Sequence, residues 1–268
     1  MWTNAIRPYI ITPSITDLKL SIITITYNAE KYLERTIQSV MNQSIQDFEY
    51  IIIDGKSTDG TLEIAEKYKN RIDKLISEPD NGLYNAMNKG LKNASGDFVW
   101  FMNAGDEINE DQAVEKIYKA ISDKTDVLYG DTFFVDNEGN IQGLRSEITP
   151  HRLPKDLKWQ DIKLGMLVCH QAFIARKTIA PSYMENNLSA DVDWEIECLK
   201  RAREIKYLDF VVAKYLIGGI SNKQLKRSLL NRYVVLKKHF GLIGVFYAHV
   251  QILFRGIRLM VKKRGKYW

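Results

Sequence analysis

Cysteine is nearly absent. Cys169 and Cys198 are the two in 268 residues, and they form no motif. A small scaffold stapled by disulfides is therefore excluded, and the chain fits a reducing compartment. Long apolar runs are missing too. The opening, "MWTNAIRPYIITPSITD", has none long enough for a signal peptide, so a cytoplasmic protein is expected. Near the other end, the uncharged stretch between His239 and Arg255 is 15 residues, with two Gly, a His and a Gln. A membrane-spanning helix needs about 20 apolar residues. The third absence is of acid. The last acidic residue is Asp209, and 13 Lys and Arg follow it. Taking those 13 from the total of 38 leaves 25 basic residues against 33 acidic ones in 1–209, a balance of −8. An acidic body with a basic tail points to a tail that meets an anionic surface.

What is present is a globular composition, 45% apolar and 26% charged, in a length that suits one large domain with or without an appendage. "LKLSIITIT", residues 18–26, is a β-branched run that reads as a buried strand. In "AEKYLERTIQSVMNQS", Leu33, Ile37, Val40 and Met41 share a helical face. "FEYIIIDG" is a second strand. "STDGTLEIAEKYKN" then opens a helix with Ser57, Thr58 or Asp59 as N-cap. "IDKLISE" is a third strand, "DNGLYNAMNKGLKNA" a helix from about Gly82 to Asn93, and "GDFVWFM" a fourth strand. "DQAVEKIYKAIS" reads as a helix, and "DVLYGDTFFVDNEGNIQGLR" as a strand and hairpin across "NEGN". Strands alternating with helices imply an α/β domain whose mostly parallel sheet is covered on both sides. Ligands in such sheets sit beyond the carboxyl ends of the strands. The loops there are "TYNAE", "DGKSTDG", "EPDNG" and "NAGDE". All four are polar, as loops commonly are.

Their contents go further. "SIITITYN", "IIIDGKSTDGT", "EPDNGLYNAMNKG" and "FMNAGDEI" stand in order, each after an expected strand, and together resemble family 2 glycosyltransferases. The resemblance covers roughly residues 19–220. It is nearest to enzymes that build bacterial surface polysaccharides. It implies the GT-A fold, Rossmann-like, with a nucleotide-sugar donor. Thr26 and Tyr27 then lie against base and ribose, and Asp80 contacts the base. Asp54 accepts the imide N–H of uracil, which favours a UDP-sugar. Turn and N-cap chemistry also accounts for Asp54 and Asp59, and Asp59 is read as a cap. Asn88 shares a helix face with Tyr84 and helps to hold the loop. Met87 stands where many relatives carry an arginine. Lys89 reads either as a phosphate ligand or as a surface charge.

Most relatives end the fourth strand in Asp-x-Asp-Asp, which manages ribose and a divalent metal. Here Asn103 and Gly105 fill the first and third positions, and only Asp106 keeps its carboxylate. Asn103 still offers a hydrogen bond to a ribose hydroxyl. Gly105 frees the backbone, so that Asp106 can take the missing ligand's place. Mg²⁺ or Mn²⁺ is then bound weakly without the donor, whose phosphates complete the shell. Capping of the helix that starts near Glu110 is the other reading of Asp106.

The second half carries the acceptor side. "LSADVDWEIECLKRA" resembles the family segment in which an acid opens a helix and acts as base. Asp191 matches that place, and Asp193 is the second candidate. Inverting transfer needs one carboxylate to take the acceptor hydroxyl's proton. Acids are also favoured there by the helix dipole. His170 and Gln171, in "CHQAFIARK", recur in this subgroup near the donor–acceptor junction, though a lone His is more often structural. Gly218, Gly219 and Ser221, in "GGIS", resemble a late loop that folds over the diphosphate. Asp131 reads as structural.

The expected organisation is an arm at 1–18, a GT-A catalytic domain at 19–221 (donor half 19–131, acceptor half 132–221), and a basic amphipathic tail at 222–268. The tail reads as two helices broken near "HFGLIG". In the second, Phe246, Val250, Leu253, Ile257 and Met260 form one stripe, and Gln251, Arg255, Arg258 and Lys262 another. This suits a helix lying on an anionic membrane surface, at the inner face of the plasma membrane. An ordinary helix packed on the catalytic domain shows the same pattern. Nucleic acid is disfavoured, because stacking platforms and binding motifs are missing. The expected function is transfer of a hexose or N-acetylhexosamine from a nucleotide-sugar to a glycan or lipid-linked acceptor in surface-polysaccharide synthesis. The alternative is an inactive family member serving as a membrane-associated scaffold.

Overall fold

The computed structural model describes residues 18–218 and 224–262. Gly219 and Ser221 lie outside the described residues, as does nearly all of the 1–18 arm. So do the side chains of Leu253, Arg255, Ile257, Arg258, Met260 and Lys262.

Four parallel strands form the first part of the sheet: β1 (Leu20–Thr26), β2 (Phe48–Asp54), β3 (Lys74–Ser77) and β4 (Phe98–Phe101). Their order in the sheet is β3-β2-β1-β4. Every residue of β1 and β2 is buried, as expected where helices cover both faces and the sequence is rich in isoleucine. The covering helices are α1 (Leu33–Met41), α2 (Thr61–Lys67) and α3 (Leu83–Asn93). Leu33, Ile37 and Val40 of α1 are buried, on the face the spacing indicates, while Met41 packs at the margin. Gly90 of α3 allows close approach to the sheet: a Cβ there would lie 2.6 Å from Ile23 Cγ2.

Beyond β4 the sheet changes character. The short β5 (Glu107–Ile108) leads to α4 (Ala113–Ala120) and the long β6 (Thr125–Val135), which turns through Gly139 into β7 (Ile141–Leu144). A one-turn helix α5 (Arg145–Ile148) precedes β8 (Phe173–Arg176), α6 (Ala190–Arg201) and β9 (Glu204–Leu216). β8 runs antiparallel to both β4 and β6, whereas β6 and β9 run parallel. The sheet is thus parallel from β3 to β4 and mixed beyond β4. The thirteen-residue β9, which pattern reading missed, has a half-buried rather than a cleanly alternating face.

A long helical segment, α7 (Leu225–Lys262), closes the chain and kinks at Gly241, where φ is 66° and ψ 173°. The break expected near "HFGLIG" therefore falls at this glycine. The first arm, 225–240, is docked: Val235 and Leu236 are buried, Phe240 stacks on Trp159, and Lys238 and His239 bind Asp193. The second arm folds back, with His249 ring-to-ring with Tyr233. It buries Val245 and Ala248 but exposes Leu242, Ile243, Phe246, Tyr247 and Phe254. The first arm packs on the domain along one face, yet it too leaves Leu229, Leu230 and Val234 exposed, so the outward apolar face runs over both arms.

Candidate active site

The carboxyl ends of β1, β2 and β4 lie side by side. Asp54 ends β2 opposite Thr26 of β1, and the amide of Ala104, just past β4, donates to the Ile25 carbonyl. The first two loops are stitched together. Asn28 N donates to Ser57 Oγ, and Thr58 N donates to Asn28 Oδ1. Both loops hold a non-glycine residue at positive φ, Asn28 at 47° and Lys56 at 63°. Such backbone persists only where the surroundings fix it.

Asp54 is buried, and its carboxylate accepts from Ser57 N at 3.0 Å, from Ser57 Oγ and from Ser77 Oγ at 2.6 Å. Three donors keep the charge compensated at the foot of the cleft. Tyr27 is exposed, and it converges with Asp80 on the Cα of Gly55. A Cβ on Gly55 would come within 2.4 Å of Asp80 Oδ2 and 3.2 Å of Tyr27 Cδ2. Thus Tyr27, Asp54 and Asp80, expected to meet a nucleoside, do come together. The N-cap of α2 is Gly60 rather than Asp59, because the helix begins only at Thr61; Asp59 sits one residue earlier and accepts from Thr61 N and Thr61 Oγ1.

Two polar atoms in this row are buried and unpartnered among the described residues: Thr26 Oγ1 and Asn103 Oδ1. Buried polar atoms are nearly always satisfied, so an orphaned pair at adjacent strand ends marks a place for a ligand or water.

The "NAGD" loop is rigid. Thr36 Oγ1 donates to the Asp106 carbonyl at 2.7 Å and accepts from Gly105 N at 2.8 Å. Arg35 donates twice to the Gly105 carbonyl. Asp106 is turned inward, accepting from Gln171 Nε2 at 2.7 Å and from Leu216 N at 2.9 Å. Burial pushes its carboxyl up to about 7, against the pull of those two hydrogen bonds. Gly105 sits at φ 105°, and a Cβ would lie 2.7 Å from Leu216 Cδ2. The freedom expected of this glycine is instead spent on one fixed conformation, so a second carboxylate does not fit at 105. Each carboxylate oxygen of Asp106 thus already accepts from a protein donor, and Asn103 Oδ1 is an oxygen of this loop left without a partner among the described residues. Gln171 lies where it was expected, but its amide binds Asp106.

On the opposite wall stands the start of α6. The Asp191 carboxyl is held above the usual range by burial, partly offset by the Val192 N–H, the charge of Arg232 and a hydrogen bond with Tyr84. Asp193, two residues on, projects to the other side of the helix. Its carboxylate takes Lys238 Nζ at 2.7 Å and His239 Nε2 at 2.6 Å. Those partners outweigh its burial and lower its pKa. Asp193, Glu197 and His239 have metal-like spacing, yet Lys238 Nζ already lies 2.7 Å from Asp193 and 3.8 Å from Glu197. Asp193 therefore serves to dock α7 in this structure, whereas Asp191 meets Tyr84 and the charge of Arg232.

Asn88 is fully engaged. It donates to the Tyr183 carbonyl and to Glu185, and accepts from Tyr183 N. It holds the segment before α6, as its place beside Tyr84 suggested. Lys89 is bound to Glu78 and the Pro79 carbonyl. Met87 is buried. His170 sits behind the site in an aromatic cluster with Phe101, Tyr183 and Trp194. Its Nε2 meets Tyr183 Oη at 3.1 Å, and burial pushes the imidazole down to about 4. Glu195, one helical turn after Asp191, is buried 3.8 Å from His170 Nδ1 and is held well above its ordinary pKa by burial. Sequence reading missed Glu195, Thr36, Arg35 and Arg232. The i, i+4 spacing of Asp191 and Glu195 was the one available signal.

Comparison with known proteins gives the family and the fold. The profile of "Glycosyl transferase family 2" matches residues 21–180. A PGL/p-HBAD biosynthesis glycosyltransferase of Mycobacterium bovis is 31% identical over 223 residues, which is 79% of this chain and 82% of that protein. A cholesterol galactosyltransferase of Borreliella burgdorferi is 37% identical over 113 residues, 41% of this chain and 31% of that protein. Among solved structures, S. aureus TarS in complex with UDP-GlcNAc superposes with a TM-score of 0.65 at 23% identity. That match covers 81% of this chain and 65% of the other. A mannosyltransferase from Pyrobaculum calidifontis in complex with GDP-Man and Mn²⁺ gives a TM-score of 0.61 at 12% identity, covering 98% of this chain and 80% of that one.

Proposed function

The chain belongs to glycosyl transferase family 2 and has the GT-A fold, and from that premise we propose that it transfers a sugar, with inversion, from a nucleotide-sugar to a glycan or lipid-linked acceptor in glycoconjugate synthesis. The observation that carries the donor site is the pair of buried, unpartnered atoms Thr26 Oγ1 and Asn103 Oδ1, beside the Tyr27–Asp54–Asp80 cluster. Tyr27 supplies a ring for the base. Asp54 supplies an acceptor for its N–H, which suits uracil. Asn103 and Thr26 meet the ribose.

Asp191 acts as base. It takes the proton of the acceptor hydroxyl while that oxygen attacks the anomeric carbon, and the nucleoside diphosphate leaves with the electron pair of the broken bond. A carboxyl held above its ordinary pKa is a stronger proton acceptor, provided it is ionised at working pH. Tyr84 orients it, lying between the Leu188 carbonyl at 3.3 Å and Asp191. A divalent cation would be held by Asp106 and Asn103 and would lend positive charge to the diphosphate.

The second arm of α7 offers exposed Ile243, Phe246, Tyr247 and Phe254 in a region without acids. That supports peripheral docking on an anionic membrane, where a lipid-linked acceptor resides. Among the described residues, no helix is long and apolar enough to cross one. Flotation with anionic vesicles tests the docking: deletion of 242–268 should abolish it, and salt-insensitive binding of the shortened chain would refute it.

Thermal shift with nucleoside diphosphates and Mn²⁺ tests the donor site. A ligand at 100 times its Kd stabilises by about 2.7 kcal/mol. No stabilisation by UDP, GDP or dTDP would overturn the reading. Stabilisation without any hydrolysis or transfer of nucleotide-sugars would favour the inactive scaffold.

A further inference from the structure

The first arm of α7 runs directly beside the segment that carries Asp191. Ser189 Oγ donates to the Ser228 carbonyl at 3.3 Å, and Leu188 N donates to Asn231 Oδ1 at 2.9 Å. About two turns further on, Lys238 and His239 bind Asp193. Arg232 lies between these contacts. Its Nε is buried and has no hydrogen-bond partner among the described residues. A guanidinium carries five N–H donors, and leaving one buried and unused is costly unless a ligand arrives to use it. Its charge also reaches Asp191, whose carboxyl it holds down against burial.

Three other partly or fully buried cations are engaged by protein groups. Arg35 is bound to the Gly105 and Asn137 carbonyls, Lys89 to Glu78 and the Pro79 carbonyl, and Arg145 to the Leu167 and Met166 carbonyls. The "NAGD" loop contributes one inward carboxylate, so it recruits little positive charge by way of a metal. Position 87 on α3 is a buried methionine. A leaving diphosphate nevertheless needs a counter-charge, because negative charge grows on its terminal oxygens as the glycosidic bond breaks.

We propose that Arg232 is a catalytic residue of the transferase reaction, donating to the phosphate oxygens of the nucleotide-sugar donor and stabilising the diphosphate as it leaves. Arginine suits this task, because its planar fork matches two phosphate oxygens and stays charged at any working pH. The residue that neutralises the leaving group thus comes from the basic tail, and docking of α7 completes the site. The first arm is held in place by the Asp193–Lys238–His239 network, which gives that network its purpose: it fixes the register of Arg232 against Asp191.

This inference rests on the donor-site reading above, and one titration series separates the two. Full-length wild type, Arg232→Gln and Arg232→Lys are titrated in the presence of Mn²⁺ with UDP, GDP and dTDP, and with uridine, guanosine and thymidine. For whichever diphosphate binds the wild type, Arg232→Gln should lose roughly ten- to a hundredfold in affinity. The matching nucleoside should bind both proteins alike, the unliganded melting temperature should stay the same, and Arg232→Lys should recover part of the loss. In turnover, Arg232→Gln should lower kcat at saturating acceptor. Unchanged diphosphate affinity with a raised KM for the acceptor would move the charge to an acceptor phosphate and overturn the proposal. An equal loss for diphosphate and nucleoside would make Arg232 structural and overturn it as well. If no nucleoside diphosphate binds the wild type, the donor-site reading itself falls, and this proposal with it.

Discussion

Asp54 and Asp106 stand at the carboxyl ends of strands of the same sheet, β2 and β4, with β1 between them, yet they are held in opposite ways. The three hydrogen bonds to Asp54 come from Ser57 and Ser77, 3 and 23 positions away. Those to Asp106 come from Gln171 and Leu216, 65 and 110 positions away. The first acid is held by hydroxyls and an amide of its own neighbourhood. The second is sealed beneath the acceptor half, and burial lifts its pKa to about 7. The first acid is thus fixed within the loops of the parallel strands. The second depends on segments that come later in the chain, and Gln171, Asp191, Glu195 and Arg232 likewise acquire their surroundings only from distant partners.

The comparison breaks hardest at Asp191. Asp191→Asn should cut transfer by roughly 10²- to 10⁴-fold, the usual worth of a positioned acid or base. Nucleotide affinity should stay unchanged. Asp193→Asn should leave transfer nearly intact while loosening the tail. Measured turnover with the reverse pattern would put the base at Asp193 and undo the assignment of the two faces of α6.

Next in size is the contrast between the two strand-end acids. Asp54→Asn should weaken nucleoside binding by about tenfold or more, because a charged acceptor becomes a neutral amide. Asp106→Asn should leave nucleoside binding within about twofold and act on the metal-dependent part of diphosphate binding. Calorimetric titration with uridine and UDP, with and without Mn²⁺, gives both answers. Equal losses of uridine binding in the two variants would mean that the acids share one role.

Smaller effects should appear in stability. Gly105→Ala forces a side chain into a positive φ and against Leu216, at a cost of about 1–3 kcal/mol. For a chain of this size that is roughly 2–4 °C of Tm per kcal/mol. Gly218 has φ 101° but nothing within 4 Å of its would-be Cβ, so Gly218→Ala should cost less. Equal melting temperatures for the two variants would show that the Leu216 contact is not limiting.

The mildest effect concerns pH. His170 is depressed by burial to about 4 from an ordinary 6.5. A depressed group lends stability above its unfolded pKa and withdraws it as pH falls toward the folded one. Wild type should therefore lose stability between pH 6.5 and about 4 more steeply than His170→Gln. Parallel melting curves across that window would show that the imidazole is already solvated in the native state.

The order and type of the donor-half elements were legible because each depends on short-range regularity. β-Branched runs announced β1, β2 and β4, helical spacing announced α1, and small polar residues marked the loops that end the strands. The Thr26–Tyr27–Asp54–Asp80 group was legible for the same reason: each lies at the end of a recognisable strand or within three residues of it. The long β9 was not, because its face is half-buried and shows no clean alternation.

The sequence by itself determined the α/β class, the family, the carboxyl-edge loops and the basic tail with its break at Gly241, since composition, periodicity and local spacing are properties of the chain. Only the tertiary structure decided that Gly105 is locked, that Asp106 faces inward, that Asp193 belongs to the tail, and that Arg232 stands beside Asp191. Those facts follow from burial and from partners up to 110 positions away. A carboxylate's charge depends on the water removed from it and on the donors brought to it, and neither is written in its neighbours along the chain.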